Sequence, residues 1–419
     1  MIISLLKTYS RAEHSLSRKH ISGNALEVLY QLDSNGFDSY LVGGSVRDLL
    51  LQREPKDFDI ATNAKPEQIC ELFNRCRLIG RRFRLAHIHF RYDVIEVATF
   101  RGAADSMADK HISDSGQILN DNVFGNIEED ALRRDFTVNA LYYNIRDFSL
   151  VDYQGGLEDL NNGILRLIGD PETRYREDPV RMLRAVRLAA KMGFTLFGKA
   201  ESLLPEMGYL LQDMPPSRLF EEIKKLLLSG YALATFQLLR NHQLFDELFP
   251  QSKEAIDENQ DLRMWDLIDN AMRNTDTRII DDKPVTPAFL FAVLLWPAVK
   301  AKFSRYKNDK RLNSGQALEQ ACREVTEQQV RITSIPKRFS HPMKDIWRLQ
   351  PRFENQGDRN STRLLAHPKF RAAYDFMLLR CEVGEVDQAL AQWWTDLQKK
   401  SGPQPSPKMR NSRYKNRRR

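Results

Sequence analysis

Short apolar runs separated by turn residues dominate the first part of the chain. DSYLV (38–42) ends at Gly43-Gly44, and Val46, Leu49 and Leu50 then recur at helical spacing. This predicts a strand, a tight turn and a helix. FDIAT (58–62) reads as a second strand, with Asp59 set between Phe58 and Ile60. Residues 65–74 read as a helix, with Pro66 near its start and Ile69, Leu72 and Phe73 on one face. RLAHIHF and DVIEVATF supply two more strands, and residues 101–122, rich in Asp, Ser and Gly, read as a mobile loop. From Asp178 to about Val330 the period becomes helical, in VRMLRAVRLAAKM, SRLFEEIKKLLL, AFLFAVLLW and ALEQACREV. ITSIPKRF (332–339) interrupts that run, and helical spacing resumes from Lys344 to Lys399. No internal repeat is visible.

The expected class is α+β: a mixed sheet-and-helix head followed by an all-helical remainder. Residues 1–20 are expected to be weakly structured, 21–167 to form the head, 168–232 a helical neck, 233–335 a helical body, and 336–400 a C-terminal helical region. SGPQPSPK (401–408) is a Pro/Ser/Gly linker that leads into a disordered tail, residues 401–419. A chain of 419 residues with 42% apolar content divides into several cores. It has no apolar run of membrane-spanning length and no signal-peptide pattern, and it has four cysteines, so a reducing cytoplasmic compartment is expected. Cys70, Cys76, Cys322 and Cys381 are all read as buried thiols, since a spacing of six does not suit a zinc site.

Charge sharpens the picture only when divided. The net charge is +7, yet Lys408, Arg410, Arg413, Lys415, Arg417, Arg418 and Arg419 supply seven cations, and the rest of the chain balances at 56 of each sign. A basic tail on an otherwise neutral protein points to a polyanion, nucleic acid before membrane.

Two elements carry chemistry. Gly43-Gly44-Ser45, between a strand and a helix, lets the backbone turn sharply and leaves N–H groups at a helix start, where phosphate oxygens bind. Asp57 and Asp59 are two apart, so on a strand they project to one side. Paired carboxylates repel unless a divalent cation lies between them, and Mg²⁺ takes one or two carboxylates together with substrate phosphates.

In this order and at this spacing, YLVGGSVRDLLLQREPKDFDIAT resembles the class II branch of the polymerase-β nucleotidyltransferase superfamily, which holds CCA-adding enzymes and bacterial poly(A) polymerases. IEEDALRRDFTVNALYYN (127–144) and RYREDPVRMLRAVRLAAKMGF (174–194) resemble two further motifs of the branch. The likeness extends through IPKRFSHP and LLAHPKFRAAYDFMLLR, over about residues 20–390. It implies that Asp57 and Asp59 hold two Mg²⁺ ions and that Asp135 is a third catalytic carboxylate, with Glu96 of EVATF as its rival. It also implies that Gly43, Gly44, Ser45, Arg47 and Arg134 cradle the triphosphate of ATP, with Asp48 orienting the loop. Asn139 would contact ribose or base. Asp178 and Arg181 would read the incoming base, with Arg184 nearby. Asp178 before Pro179 is equally a helix N-cap pattern.

GRRFRLAH (80–87) is similar to the stretch typical of the bacterial poly(A) polymerases, where CCA-adding enzymes have a shorter one. Arg81 and Arg82 there, and the seven tail cations, are the candidate RNA contacts. Arg next to Phe or Tyr in KRF, PRF and KFRAAYDF suits base stacking, although those of KFRAAYDF suit a core as well. The implied activity is template-independent addition of AMP from ATP to RNA 3′ ends, with RNA-degradation proteins as partners. A CCA-adding enzyme and a catalytically idle RNA-binding relative are the alternatives.

Overall fold

The computed structural model of the chain describes residues 6–80, 84–102, 123–354 and 358–401. Arg81, Arg82 and the seven tail cations lie outside the described residues. The chain forms two compact units, residues 1–210 and 211–419. The division at Leu210 falls inside the stretch expected to be the neck, so residues 168–210 belong with the head.

The first unit is built on an eight-stranded sheet. Its elements run β1 (Lys7–Tyr9), α1 (Gly23–Ser34), β2 (Ser39–Val42), α2 (Gly44–Leu50), β3 (Asp59–Thr62), α3 (Pro66–Leu72), β4 (Cys76–Ile79), β5 (Leu85–His89) and β6 (Val94–Thr99). After them come α4 (Ile127–Arg133), β7 (Leu141–Asn144), β8 (Leu150–Asp152), α5 (Gly156–Asn161), β9 (Ile164–Leu165), α6 (Pro171–Glu177), α7 (Val180–Met192), β10 (Thr195–Leu196) and α8 (Lys199–Met207). The strand order is β1-β8-β7-β2-β3-β6-β5-β4. Neighbours pair antiparallel except β3 and β6, which run parallel, and a separate small sheet joins β9 to β10. Leu41, Ile60 and Val97, on three adjacent strands, are fully buried and tie the sheet to α1, whose Val28, Leu29 and Leu32 are also buried.

Two expectations are corrected here. From residue 6 the N-terminal segment is not weakly structured: β1 adds an edge strand to β8, and Leu16 is buried. Edge pairing needs only backbone groups, so it leaves little trace in the apolar pattern. Cys70 and Cys76 are half-buried and joined as a disulfide. The chain reverses between α3 and β4, which brings their Cα atoms to 5.0 Å. Cys322 and Cys381 are buried free thiols, as read.

The second unit is helical among its described residues. It runs through α9 (Pro216–Leu227), α10 (Ala232–Asn241), α11 (Leu244–Leu248), α12 (Pro250–Asn259), α13 (Arg263–Ile280) and α14 (Pro287–Leu294). It continues with α15 (Trp296–Lys307), α16 (Ser314–Thr333), α17 (Lys337–Phe353), α18 (Asp358–Leu365), α19 (Phe370–Glu382) and α20 (Gln388–Ser401). The break read at 332–339 is real: Ser334 caps α16 with φ +41°, and Pro336 precedes α17. Phe353 and Trp394 are fully buried in one cluster with Phe370 and Tyr374. Each such ring contributes on the order of 2–3 kcal/mol by leaving water. The aromatics of PRF and KFRAAYDF are therefore core, while Phe339 of KRF is only half-buried. No single helix among the described residues is long and apolar enough to cross a membrane.

Candidate active site

The site begins at the end of β2. Gly43 has φ +71°, a conformation that glycine adopts without the steric penalty of a Cβ. A Cβ placed on it would lie 3.6 Å from both Arg134 Nη1 and Asp59 Oδ2, so this turn, a cation and a carboxylate meet at one point. Ser45 turns inward, its hydroxyl donating to the Val42 carbonyl at 2.8 Å; the side chain closes the turn, and the backbone remains for phosphate. Arg47 is also buried. It donates to Asp48 Oδ1 through Nε and Nη2 (2.9 and 2.6 Å) and to Asn139 Oδ1 through Nη1 (2.6 Å). Lys191 of α7 binds the other Asp48 oxygen at 2.7 Å. Burial opposes the charged form of Asp48, but Arg47 and Lys191 outweigh it and hold the carboxyl below its usual range. Asp48 thus ties Arg47 of α2 to Lys191 of α7.

Asp57 is exposed just ahead of β3, and Asp59 is the first residue of that strand. Asp59 is in register with Glu96 on the parallel strand β6. Its carboxyl is pushed up to about 6, first by burial, then by Glu96 and, less, by Asp57, against the pull of Arg134. Glu96 is in turn in register with His87, whose Nε2 lies 3.1 Å from Glu96 Oε1. Among the described residues no three acids, histidines or cysteines close into a metal cage. Mg²⁺ does not require one: a carboxylate pair plus phosphate oxygens and water completes its octahedron. Asp59, its proton affinity raised by burial and by two neighbouring carboxylates, in a site open to solvent through Asp57, fits such an ion.

Arg134 follows α4. Its guanidinium reaches Asp130 Oδ2 at 2.9 Å and the Tyr142 hydroxyl at 2.8 Å, and that hydroxyl donates to Asp130 at 2.7 Å. Burial lowers and these partners raise its proton affinity, and the partners win, so the charge is permanent. Arg133 instead bonds the Gly102 carbonyl.

Asp135 belongs to another set. It accepts from the Phe136 N–H (2.9 Å) and from Asn139 Nδ2 (3.1 Å), and faces Arg184 at 3.8 Å. Burial raises its pKa, but Arg184 and Asn139 more than reverse this, and it stays low. Asn139 therefore links Arg47 to Asp135, and its carbonyl also accepts from Arg134 at 3.3 Å.

The corner between α6 and α7 packs onto this strip. Asp178 is buried and follows the last residue of α6; α7 begins after Pro179, without a side-chain cap. Asp178 and Arg181 thus do not share one helix, and the N-cap pattern is not used. Arg181 donates to the Arg174 carbonyl (2.7 Å) and to Glu177 (3.1 Å). Arg174 grips Glu177 and the carbonyls of Arg133 and Arg134. Burial and the adjacent Arg181 lower its guanidinium to about 10. The i,i+4 spacing of Asp130 and Arg134 already pointed to their pairing, whereas sequence reading missed Arg174, Glu177 and Tyr142. The signal available was the charged RYRE string around Tyr175, which is fully buried.

A family model described as "Poly A polymerase head domain" matches residues 39–166. A "Probable RNA and SrmB- binding site of polymerase A" matches 193–256, and a "Polymerase A arginine-rich C-terminus" matches 310–419. Poly(A) polymerase I of Escherichia coli O157:H7 is 47% identical, over 97% of this chain and 91% of its own length. A CCA-adding enzyme of Lactobacillus helveticus is 37% identical over 55% of this chain and 57% of its own. In fold, the chain is similar to the Bacillus stearothermophilus CCA-adding enzyme solved with CTP, at a TM-score of 0.59 and 24% identity, covering 89% of this chain and 80% of that one. A near-full-length match to the polymerase, against a half-length match to the CCA-adding enzyme, decides between the two groups of the branch: this chain belongs to the bacterial poly(A) polymerase I family.

Proposed function

We infer that this chain transfers AMP from ATP to RNA 3′-hydroxyls without a template and releases pyrophosphate. The observation that carries the reading is the meeting of Gly43, Asp59 and Arg134 within one contact radius. In the reaction the 3′-hydroxyl loses its proton, its oxygen bonds to the α-phosphorus, and the bond to pyrophosphate breaks. Asp57 and Asp59 are the residues that would hold two Mg²⁺ ions. When bound, the metal supplies Lewis-acid charge stabilisation of the triphosphate and lowers the pKa of the attacking hydroxyl.

The chain's own groups do the rest. N–H groups at the Gly43-Gly44 turn and the fixed charge of Arg134 receive phosphate oxygens. Arg47 is committed to Asp48 and Asn139, and it shapes this cradle from behind. Glu96, in register with Asp59, serves as the third carboxylate. Asp135 acts by positioning Asn139 and Arg184. Asp178 and Arg181 read the adenine edge. Glu177 and the Arg174 carbonyl hold the Arg181 guanidinium in place beforehand, so little rotamer entropy is lost on binding. The basic tail, with Arg81 and Arg82, draws in RNA of any sequence.

Primer extension with an unstructured RNA and each nucleotide triphosphate separately tests this. A long ladder with ATP alone is expected. Addition of only one to three nucleotides to a truncated tRNA, using CTP and ATP, would assign CCA synthesis instead.

A further inference from the structure

Phe289 and Phe339 face a groove of about 620 Å³ in the second unit, lined by α13, α14, α17 and α19 and the segments that join them. That is the size range of small-molecule sites. The groove is mainly apolar, with Pro342 and Ile346 among its walls. Both rings are held by core aromatics, Phe339 by Phe220 at 5.8 Å and Phe289, edge-on, by Phe376 at 6.4 Å. The guanidinium of Arg338 lies over the Phe339 ring, 4.9 Å from its centroid, and brings a flat cation to that wall of the groove.

Four cations line the groove: Arg278, Arg338, Lys369 and Arg371. Two acids, Asp375 and Glu382, stand against them, and Asp375 is taken up by Arg371 at 3.0 Å. Arg278 donates to the Pro284 carbonyl and shares the attraction of Asp375 with Arg371, so the four cations still outnumber the two acids. KRF and the start of KFRAAYDF, far apart in sequence, thus bring their cations to one apolar slot. An apolar ligand has no use for this cationic excess, and a duplex offers no free base face. A single strand offers a π-face and flanking phosphates together.

Resting on the reading that this chain extends RNA, we propose that the groove takes one nucleotide of the single-stranded RNA substrate, other than the reacting terminal one. Its base lies against Phe339 and Phe289, and its flanking phosphates meet Arg338, Lys369 and Arg278. The catalytic residues all belong to the first unit, so this subsite adds RNA affinity without taking part in the chemistry.

The test is fluorescence anisotropy of the full chain with a 5′-labelled oligoadenylate across a salt series. The double variant Arg338→Ala/Lys369→Ala should bind on the order of tenfold more weakly, with the log–log salt slope reduced by about 1.4. Ala372→Trp, which fills the groove, should weaken binding without changing the slope. Photocrosslinking of RNA carrying 5-iodouridine should map to α14 or α17 by mass spectrometry. Wild-type affinity and slope in the variants, with crosslinks elsewhere, would overturn the assignment and leave the groove to a protein segment. If Ala372→Trp fails to fold by circular dichroism, the surface charge variant and the crosslink decide. Primer extension by the wild type is scored separately: an inactive wild type whose groove variants still lose oligoadenylate affinity refutes the polymerase reading and keeps the subsite.

Discussion

Asp59 and Glu96 lie side by side in register on β3 and β6, the one parallel strand pair of the eight-stranded sheet. Two carboxylates on one sheet face, one of them largely buried, oppose each other's charge. That opposition is the electrostatic setting in which a cation binds.

A stability prediction follows for Asp59. Its folded pKa, about 6, lies above the ordinary 3.8. Its contribution to stability is thus fully present below about 3.8 and is lost as pH rises through about 6. Asp59→Asn should abolish nucleotide addition yet stabilise the metal-free protein at pH near 7.5, by up to about 3 kcal/mol. Urea unfolding in chelator at pH 4 and 7.5 checks this. Equal stability of the two proteins at both pH values would refute the repulsion. Mg²⁺ should stabilise the wild type more than the variant.

Glu96→Gln and Asp135→Asn separate a reacting group from a positioning one. The first should lower kcat by about a hundredfold or more, with KM for ATP little changed. The second should disturb Asn139 and Arg184 and fall mainly on KM for ATP. The reverse pattern in steady-state kinetics would return the third-acid role to Asp135.

Asp130→Asn breaks a buried pair while leaving Arg134 charged. Loss of one partner from such a pair costs about 3 kcal/mol. Chemical denaturation should show that loss, and KM for ATP should rise because Arg134 is no longer fixed. An unchanged KM would mean that Arg134 does not meet the triphosphate.

Arg181→Ala should relax nucleotide choice more than it weakens triphosphate binding. Single-nucleotide incorporation measured with all four triphosphates decides: an equal drop for each would contradict base reading.

Deleting residues 402–419 removes seven cations. If all seven meet phosphates, the log–log salt slope of RNA binding falls by about 5. An unchanged slope would assign the tail another task.

Much of the site was legible because it is local. A strand that ends in Gly43-Gly44, with the next helix starting at once, is written in a few adjacent residues, and so is the Asp57/Asp59 spacing. The helical remainder was legible for the same reason, since a periodicity of 3.6 in apolar residues is a nearest-turn property. What the chain order alone determined was therefore the parts: the turn, the acid pair, the cation-rich motifs, and their sequence along the chain.

Tertiary structure decided which parts touch. Glu96 and Asp135 both follow from motif strings, and only the β3–β6 pairing sets Glu96 beside Asp59, while the α6–α7 corner draws Asp135 to Arg184. β1 joins the sheet through backbone hydrogen bonds that no side-chain pattern announces. Phe353 and Phe339 both follow an arginine, yet one is sealed in the core and the other lines a groove. In each case the outcome depends on residues distant in sequence. Periodicity states which face of an element is apolar, but the partner that covers that face is chosen by packing across the whole unit.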